Sequence, residues 1–289
     1  MPTDLVPDDL WERVTPLLPP RPVRRRRHAG RLPVPDRVAL AGIVYVLRKG
    51  VAWRDVPAQV VGCSGVTSWR RLRDWTEAGV WPRLHEALLA ELRATDRLDM
   101  DDAAIDGSHI RALRGGAHVG PSPVDRGRPG SKHHVIVDRH GTPLAVSLTG
   151  GNRHDVTQLF PLLDAIPAIR GLRGRPRSRP RRLFADRGYD YDKYRRRLWK
   201  RGIKPLIARR GVAHGSGLGR TRWVVERTFA WLHQFKRLRI RYERRADLHQ
   251  GLLELACVII CLRRLRRAPA SGGPDIPGVG ATAAAGRVS

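Results

Sequence analysis

RWVVERTFAWLHQFKRLRIRYERR, residues 222–245, is the stretch around which the rest of the chain is arranged. Val224, Thr228, Trp231, Phe235 and Leu238 recur at spacings of four and three, which predicts a helix over the first four turns with one largely apolar stripe. At about 100° per residue, Arg222, Glu226 and His233 fall on the opposite face. Glu226 is the only acid between Asp192 and Glu243. Two readings are open for it: a surface ion pair with Arg222, or a metal ligand on a cationic, DNA-facing surface. The second gains weight only if two further carboxylates are suitably placed upstream.

The charge balance bears on that choice. The chain has 289 residues, 55 Lys+Arg against 27 Asp+Glu, a net charge of +28 and a pI near 11.6. The excess is uneven: 17 bases face 14 acids in residues 1–102, and 38 face 13 in the remainder. A surplus on that scale attracts polyanions, and the commonest polyanionic partner is nucleic acid. Cys63, Cys257 and Cys261 show neither zinc spacing nor a disulfide framework and suit a reducing compartment, with the last two expected in the core one helical turn apart. The start, MPTDLVPDDLW, lacks the basic and apolar regions of a signal peptide, and the longest apolar run, Leu252 to Leu262, contains Glu254 and is too short to span a bilayer. The expectation is a cytoplasmic protein without a membrane partner.

Outward from the opening stretch, residues 8–95 read as a helical domain. Asp8 or Asp9 can cap a helix through Leu18, and Asp36 a second through Arg48 that Gly50 stops. Arg21 to Arg31 reads as a basic linker. A short helix, a turn at Gly62 to Gly65 and a helix from Val66 to Ala78 would form a helix-turn-helix, with Thr67, Arg70, Arg71 and Asp74 on the face offered to a major groove. An ordinary amphipathic helix of a small bundle fits the same pattern. From Ala103 strands take over. AAIDGSHI is a strand, Arg111 to Ser131 a mobile Gly/Pro/Arg-rich loop, and HHVIVDRHGTPLAVSLT a hairpin. Asp155 to Ile166 is helical, LFAD a fourth strand, Tyr191 to Arg201 a helix, KPLIA a fifth strand, and residues 246–265 a last helix. This order predicts an α/β fold, a mixed sheet flanked by helices behind an all-α N-terminal domain. The expected divisions are 1–98, 99–267 and an Ala/Gly/Pro-rich disordered tail, 268–289.

Three of the acids after residue 102 stand where a site could use them: Asp106 in the first strand, Asp186 at the end of the fourth, and Glu226 on the long helix. Strand ends are where α/β sheets bind ligands. Alone, each could be a turn, cap or surface residue. Together they are hard oxygen donors suited to Mg²⁺ or Mn²⁺, and a pair of such ions can drive an in-line phosphoryl displacement.

IDGSHIRA (105–112), TGGNRHD (149–155), LFADRGYD (183–190) and residues 222–245 resemble the successive signature blocks of DDE transposases of bacterial insertion sequences. The resemblance spans residue 8 to about 265. It implies an RNase H-like catalytic domain, with Asp106, Asp186 and Glu226 as catalytic residues holding two Mg²⁺ or Mn²⁺ ions. It also implies binding of double-stranded DNA at the element's terminal inverted repeats, 3′-end cleavage, strand transfer to target DNA, and at least a dimer on DNA. The family signature around the glutamate carries a tyrosine, an arginine and a lysine. Arg222 and Glu226 fit it, while Gly219 and His233 occupy the tyrosine and lysine positions. His233, Arg227 or Lys236 are then the candidates to grip phosphates, joined by Arg187 and Arg222. His154 reads as a helix N-terminal residue rather than a general base, and Trp223 as either a base-stacking residue or a buried anchor. A nuclease of the same fold without strand transfer, and a non-enzymatic DNA-binding regulator, are the competing functions.

Overall fold

The computed structural model describes residues 5–20, 32–211 and 219–267, with the side chains of 219–222 excepted. The expected basic linker, the disordered tail and the side chain of Arg222 therefore lie outside the described residues. Among the described residues, α-helices come first: α1 (Asp8–Val14), α2 (Asp36–Lys49), α3 (Ala58–Val61), α4 (Gly65–Glu77) and α5 (Val80–Ala94). The acids expected to cap them do not. Pro7 and Pro35 occupy the cap positions of α1 and α2, and Asp8, Asp9 and Asp36 sit in the first turns, where the helix dipole favours a negative charge. Ser64 does cap α4, its Oγ accepting from the Thr67 amide at 3.3 Å.

Then follow β1 (Asp102–Ala112), β2 (Gly120–Pro121), β3 (Pro129–Asp138), β4 (Pro143–Gly150), α6 (Leu159–Asp164), β5 (Arg182–Ala185), α7 (Asp192–Lys200), β6 (Lys204–Ile207), α8 (Gly219–Gln234), β7 (Ile240–Arg241) and α9 (Ala246–Arg266). The sheet runs β4-β3-β1-β5-β6 across its width, antiparallel on the β3 and β4 side and parallel on the β5 and β6 side. Two short strands extend it, β2 beside β3 and β7 beside the last residues of β1. This is the mixed sheet flanked by helices that the RNase H-like expectation requires.

The opening stretch does not stay helical as far as its periodicity suggested. α8 ends at Gln234, and Phe235 and Leu238 reach the core through a 3₁₀ turn over Lys236–Leu238 before β7 begins. The apolar residues are still buried, but by a change of direction rather than by one continuous stripe. Arg239 Nε stabilises the bend by donating to the carbonyl of His233 at 2.7 Å.

α9 holds the parts together. It is buried almost all round from Leu248 to Leu262, including Cys257 and Cys261, and it packs against α5, α4, α8 and β4. A helix apolar on every side belongs at the centre of a core. Leu98 and Met100, at the expected division between domains, are buried in the same hydrophobic cluster as the N-terminal helices and the sheet. Arg97 donates to the carbonyls of Leu265 and Arg267, both at 2.6 Å, and so caps the C-terminus of α9. α2 and α4 cross at Gly42, where a Cβ would meet Ser68 Cβ at 3.0 Å.

The segment Arg111–Ser131, expected as a mobile loop, is tied down. Arg111 pairs with Asp125 at 2.7 Å, and the carbonyl of His118 accepts from Ser131 Oγ at 2.6 Å and from Arg241 Nη1 at 3.0 Å. Two of these contacts close within the segment itself; only Arg241 comes from far along the chain.

Candidate active site

β1 and β5 pair in parallel with Asp102 beside Arg182, Ala103 beside Leu183 and Ala104 beside Phe184. The ladder ends there; its offset, carried two residues further, matches Asp106 on β1 with Asp186, the first residue past the end of β5. Both carboxylates are half-buried and oriented by the backbone. Asp106 Oδ1 accepts from the Gly107 amide at 2.7 Å, and Asp186 Oδ1 from the Gly188 amide at 2.9 Å. Asp186 thereby caps the 3₁₀ turn that carries Arg187. Glu226 is exposed on α8, which packs on β1, β3 and β5 and whose Val225 and Phe229 are buried.

Among the described residues no three His, Cys, Asp or Glu side chains stand close enough together to hold a metal ion. The paired aspartates nonetheless suit Mg²⁺ by donor type, because that ion commonly takes one or two carboxylates and completes its shell with water and substrate phosphate oxygens.

The opposite face of the sheet at this level is built differently. Gly107 turns away from Asp106, as successive strand residues must, and lies under Asp155 and His134. A Cβ there would sit 2.7 Å from Asp155 Oδ1 and 3.1 Å from His134 Nδ1. Lys132 Nζ donates to Asp155 Oδ1 at 3.0 Å and to the Arg153 carbonyl at 2.8 Å, anchoring the Gly150–Asp155 turn. Burial drives the His134 imidazole down to about 4, against the pull of Asp155. Its Nε2 and Thr149 Oγ1 lie 2.7 Å apart. His154 is exposed and supplies a carbonyl to the Thr157 amide, in keeping with a structural part at the head of the turn.

The residues expected to contact DNA divide into two groups. Arg70 and Lys236 are exposed, and Thr67 and Arg187 half-exposed. Arg71, Arg227 and His233 are half-exposed as well and also make contacts within the protein. Arg71 lies 3.1 Å from Asp36 on α2. Arg227 donates to the His140 carbonyl at 2.6 Å, with its guanidinium 4.2 Å from the ring centre of Trp223 and 4.9 Å from that of Trp231. His233 is half-buried against Phe229, and burial lowers its pKa. The helical spacing set Arg71 and His233 opposite the apolar stripes; Arg71 is covered in part by α2 and His233 packs on Phe229 of its own helix. Trp223 is 48% exposed, so it is not the buried anchor that was weighed.

Sequence reasoning missed a buried polar network behind this sheet. Arg237 donates to Glu243 Oε1 from Nε at 2.9 Å and from Nη2 at 2.7 Å. His249 Nδ1 stands 3.3 Å from Glu243 Oε2, and its Nε2 is 2.8 Å from His133 Nε2. Burial holds both imidazoles below their ordinary pKa and so neutral at pH 7. One proton arrangement satisfies the chain: His249 donates to Glu243 from Nδ1, and His133 donates from Nε2 to His249. Of its members the sequence singled out only Glu243, and that only as a neighbouring acid.

Residues 97–261, more than half of the chain, match the family model described as Transposase DDE domain, and residues 6–85 that of a putative transposase of the IS4/5 family. The chain belongs to the DDE transposases. It is 64% identical over 153 residues to the putative transposase for insertion sequence element IS402 of Burkholderia cepacia, covering 53% of this chain and 72% of that one. The uncharacterized 16.2 kDa protein of the same element is 56% identical over 120 residues, 41% of this chain and 81% of that one. Among solved structures, the Mos1 strand transfer complex aligns with a TM-score of 0.31 and 11% identity over 83% of this chain and 81% of that one. No helix among the described residues of the transposase is long and apolar enough to cross a membrane.

Proposed function

We propose that this transposase binds the terminal inverted repeats of its own insertion element, hydrolyses the phosphodiester at each 3′ end, and transfers the freed 3′-hydroxyl to target DNA. The observation that supports the reading is the parallel pairing of β1 with β5, whose offset carried two residues past the ladder matches Asp106 with Asp186 at the C-terminal end of β5. Bound Mg²⁺ or Mn²⁺ would supply activation of the attacking oxygen and stabilisation of the leaving one. Asp106 and Asp186, fixed by the Gly107 and Gly188 amides, are the residues that would hold it. Glu226, carried by α8 over the same sheet, would be the third ligand.

The protein's basic surface holds the backbone of the substrate. Arg70 on α4, Arg187 beside Asp186, Arg222, and Lys236 in the turn after α8 are the phosphate contacts proposed for the DNA-bound state. Two ends must meet for strand transfer, so the acting species is a dimer or larger assembly on DNA. Asp106→Asn keeps the shape and removes a charge. The variant is expected to retain end binding in a mobility-shift assay and to lose Mg²⁺-dependent cleavage of an end-sequence duplex by at least about a hundredfold. Cleavage at the wild-type rate overturns the assignment, and cleavage by the wild-type protein without joining reassigns it as a nuclease.

A further inference from the structure

A cleft of about 480 Å³ opens where the N-terminal helices meet the chain that follows α8. Its walls are aromatic: Trp53 from the 3₁₀ turn before α3, Trp69 from α4, and Tyr242 just past β7. All three rings are half-exposed. Arg237 closes the back, its guanidinium 4.7 Å from the ring centre of Tyr242 and 5.9 Å from that of Trp53. Arg114 and Arg244 stand exposed along the lining, and no carboxylate of a described residue pairs with either. The only acid in the lining, Glu243, is already engaged by Arg237 and His249.

The walls come from distant parts of the chain and are cross-braced. Arg237 Nη1 donates to the Val51 carbonyl at 3.0 Å, joining the turn that carries Trp53 to the turn that follows α8. Arg245 reaches Glu77 at 2.8 Å, joining the end of α4 to the start of α9. The cleft is therefore already formed before a ligand arrives, which lowers the ordering cost of binding.

Its volume lies in the range of small-molecule sites and is far too small for a duplex. Aromatic faces beside unpaired guanidinium groups suit a planar base attached to a phosphate. A base in a duplex offers only its edges; its face becomes available when it is unpaired. We propose that this cleft binds one unpaired nucleotide of DNA, the base stacked on Trp53, Trp69 and Tyr242 and the phosphate held by Arg114 and Arg244. β7, immediately before Tyr242, pairs with Arg111 and Ala112, five and six residues past Asp106 on β1. At about 3.3 Å per residue this sets the cleft roughly 15–20 Å from the aspartate pair. The nucleotide it takes then lies about five or six base steps from the bond being cut, at about 3.4 Å per step. This placement rests on the proposed end-cleaving function; binding of an unpaired nucleotide does not.

The test uses the full-length protein and two fluorescein-labelled probes, a short oligothymidylate and a fully paired duplex of equal length, read by anisotropy. Trp53→Leu and Tyr242→Leu are each expected to weaken oligothymidylate binding by about tenfold and duplex binding by less than about threefold. Trp53→Phe and Tyr242→Phe, which keep a stacking face, are expected to restore it. Arg244→Ala, at an exposed position, is expected to lower the slope of log affinity against log salt by about one for the oligothymidylate. If Trp53→Leu fails to fold, the Tyr242 and Arg244 variants decide. Equal losses on both probes, or no loss on the single strand, overturn the proposal. Asp106→Asn is run alongside: should it still cleave, the end-cleaving function falls while the two probes continue to judge the cleft.

Discussion

Glu243→Gln tests how much of the fold depends on the network behind the sheet. The substitution preserves volume and removes the one negative charge facing Arg237, a side chain only 4% exposed. Burial works to raise the Glu243 carboxyl, but the His249 hydrogen bond and the Arg237 charge outweigh it and bring it from the ordinary 4.5 to about 2. That difference corresponds to roughly 3 kcal/mol of stability. The general cost of removing one partner from a buried ion pair, about 3–5 kcal/mol, agrees. For a chain of this size the expected fall in melting temperature is roughly 6–12 °C. The pH dependence has a definite sign. A depressed carboxylate stabilises fully above its unfolded value near 4.5 and loses that contribution as pH falls toward 2. Wild type and Glu243→Gln should therefore differ in urea midpoint at pH 7 and converge in acid. The double variant Arg237→Met/Glu243→Met, which removes both charges, should recover most of the loss. A single-variant cost below about 1 kcal/mol, or a double variant as unstable as the sum of its parts, would refute the reasoning.

Two further outcomes follow from the same physics. Gly107→Ala places a methyl group 2.7 Å from Asp155 Oδ1 and 3.1 Å from His134 Nδ1, beside Asp106. It should cost about 1–3 kcal/mol in a chemical melt, and a midpoint equal to wild type would show that the Lys132-anchored turn yields freely. His85, buried between α5 and β4 with Nε2 at 2.9 Å from the Pro143 carbonyl, is pushed by burial from 6.5 to about 4. The fold holds this imidazole neutral, so its contribution is complete above pH 6.5 and lost as pH falls to 4, up to roughly 3 kcal/mol. Its replacement by Gln should flatten the stability curve between those pH values; an unchanged slope would assign the acid sensitivity to other groups.

Much of the architecture was legible in local pattern. Short apolar runs marked β1, β3 and β4, and the spacing of Val224, Thr228 and Trp231 marked α8, because each depends on residues within a few turns. The candidate carboxylates Asp106 and Asp186 could be picked out for the same reason: each sits in a strand-and-turn block whose chemistry is local. Other features were invisible for the opposite reason. The break of α8 at Gln234 depends on a bend that carries Phe235 and Leu238 into a core shared with α2 and α9. Arg71 and Arg227 make contacts with α2 and with the β3–β4 turn that nothing in their own helices announces.

What the sequence determined by itself was the order of strands and helices, the cationic surplus and the identity of the acids, since all three are properties of the chain as written. Only the tertiary structure decided which of those charges face outward, and it did so in part through partners more than a hundred residues apart. Val51 and Arg237, His118 and Arg241, and His133 and His249 are joined in space by a burial that no window along the chain contains.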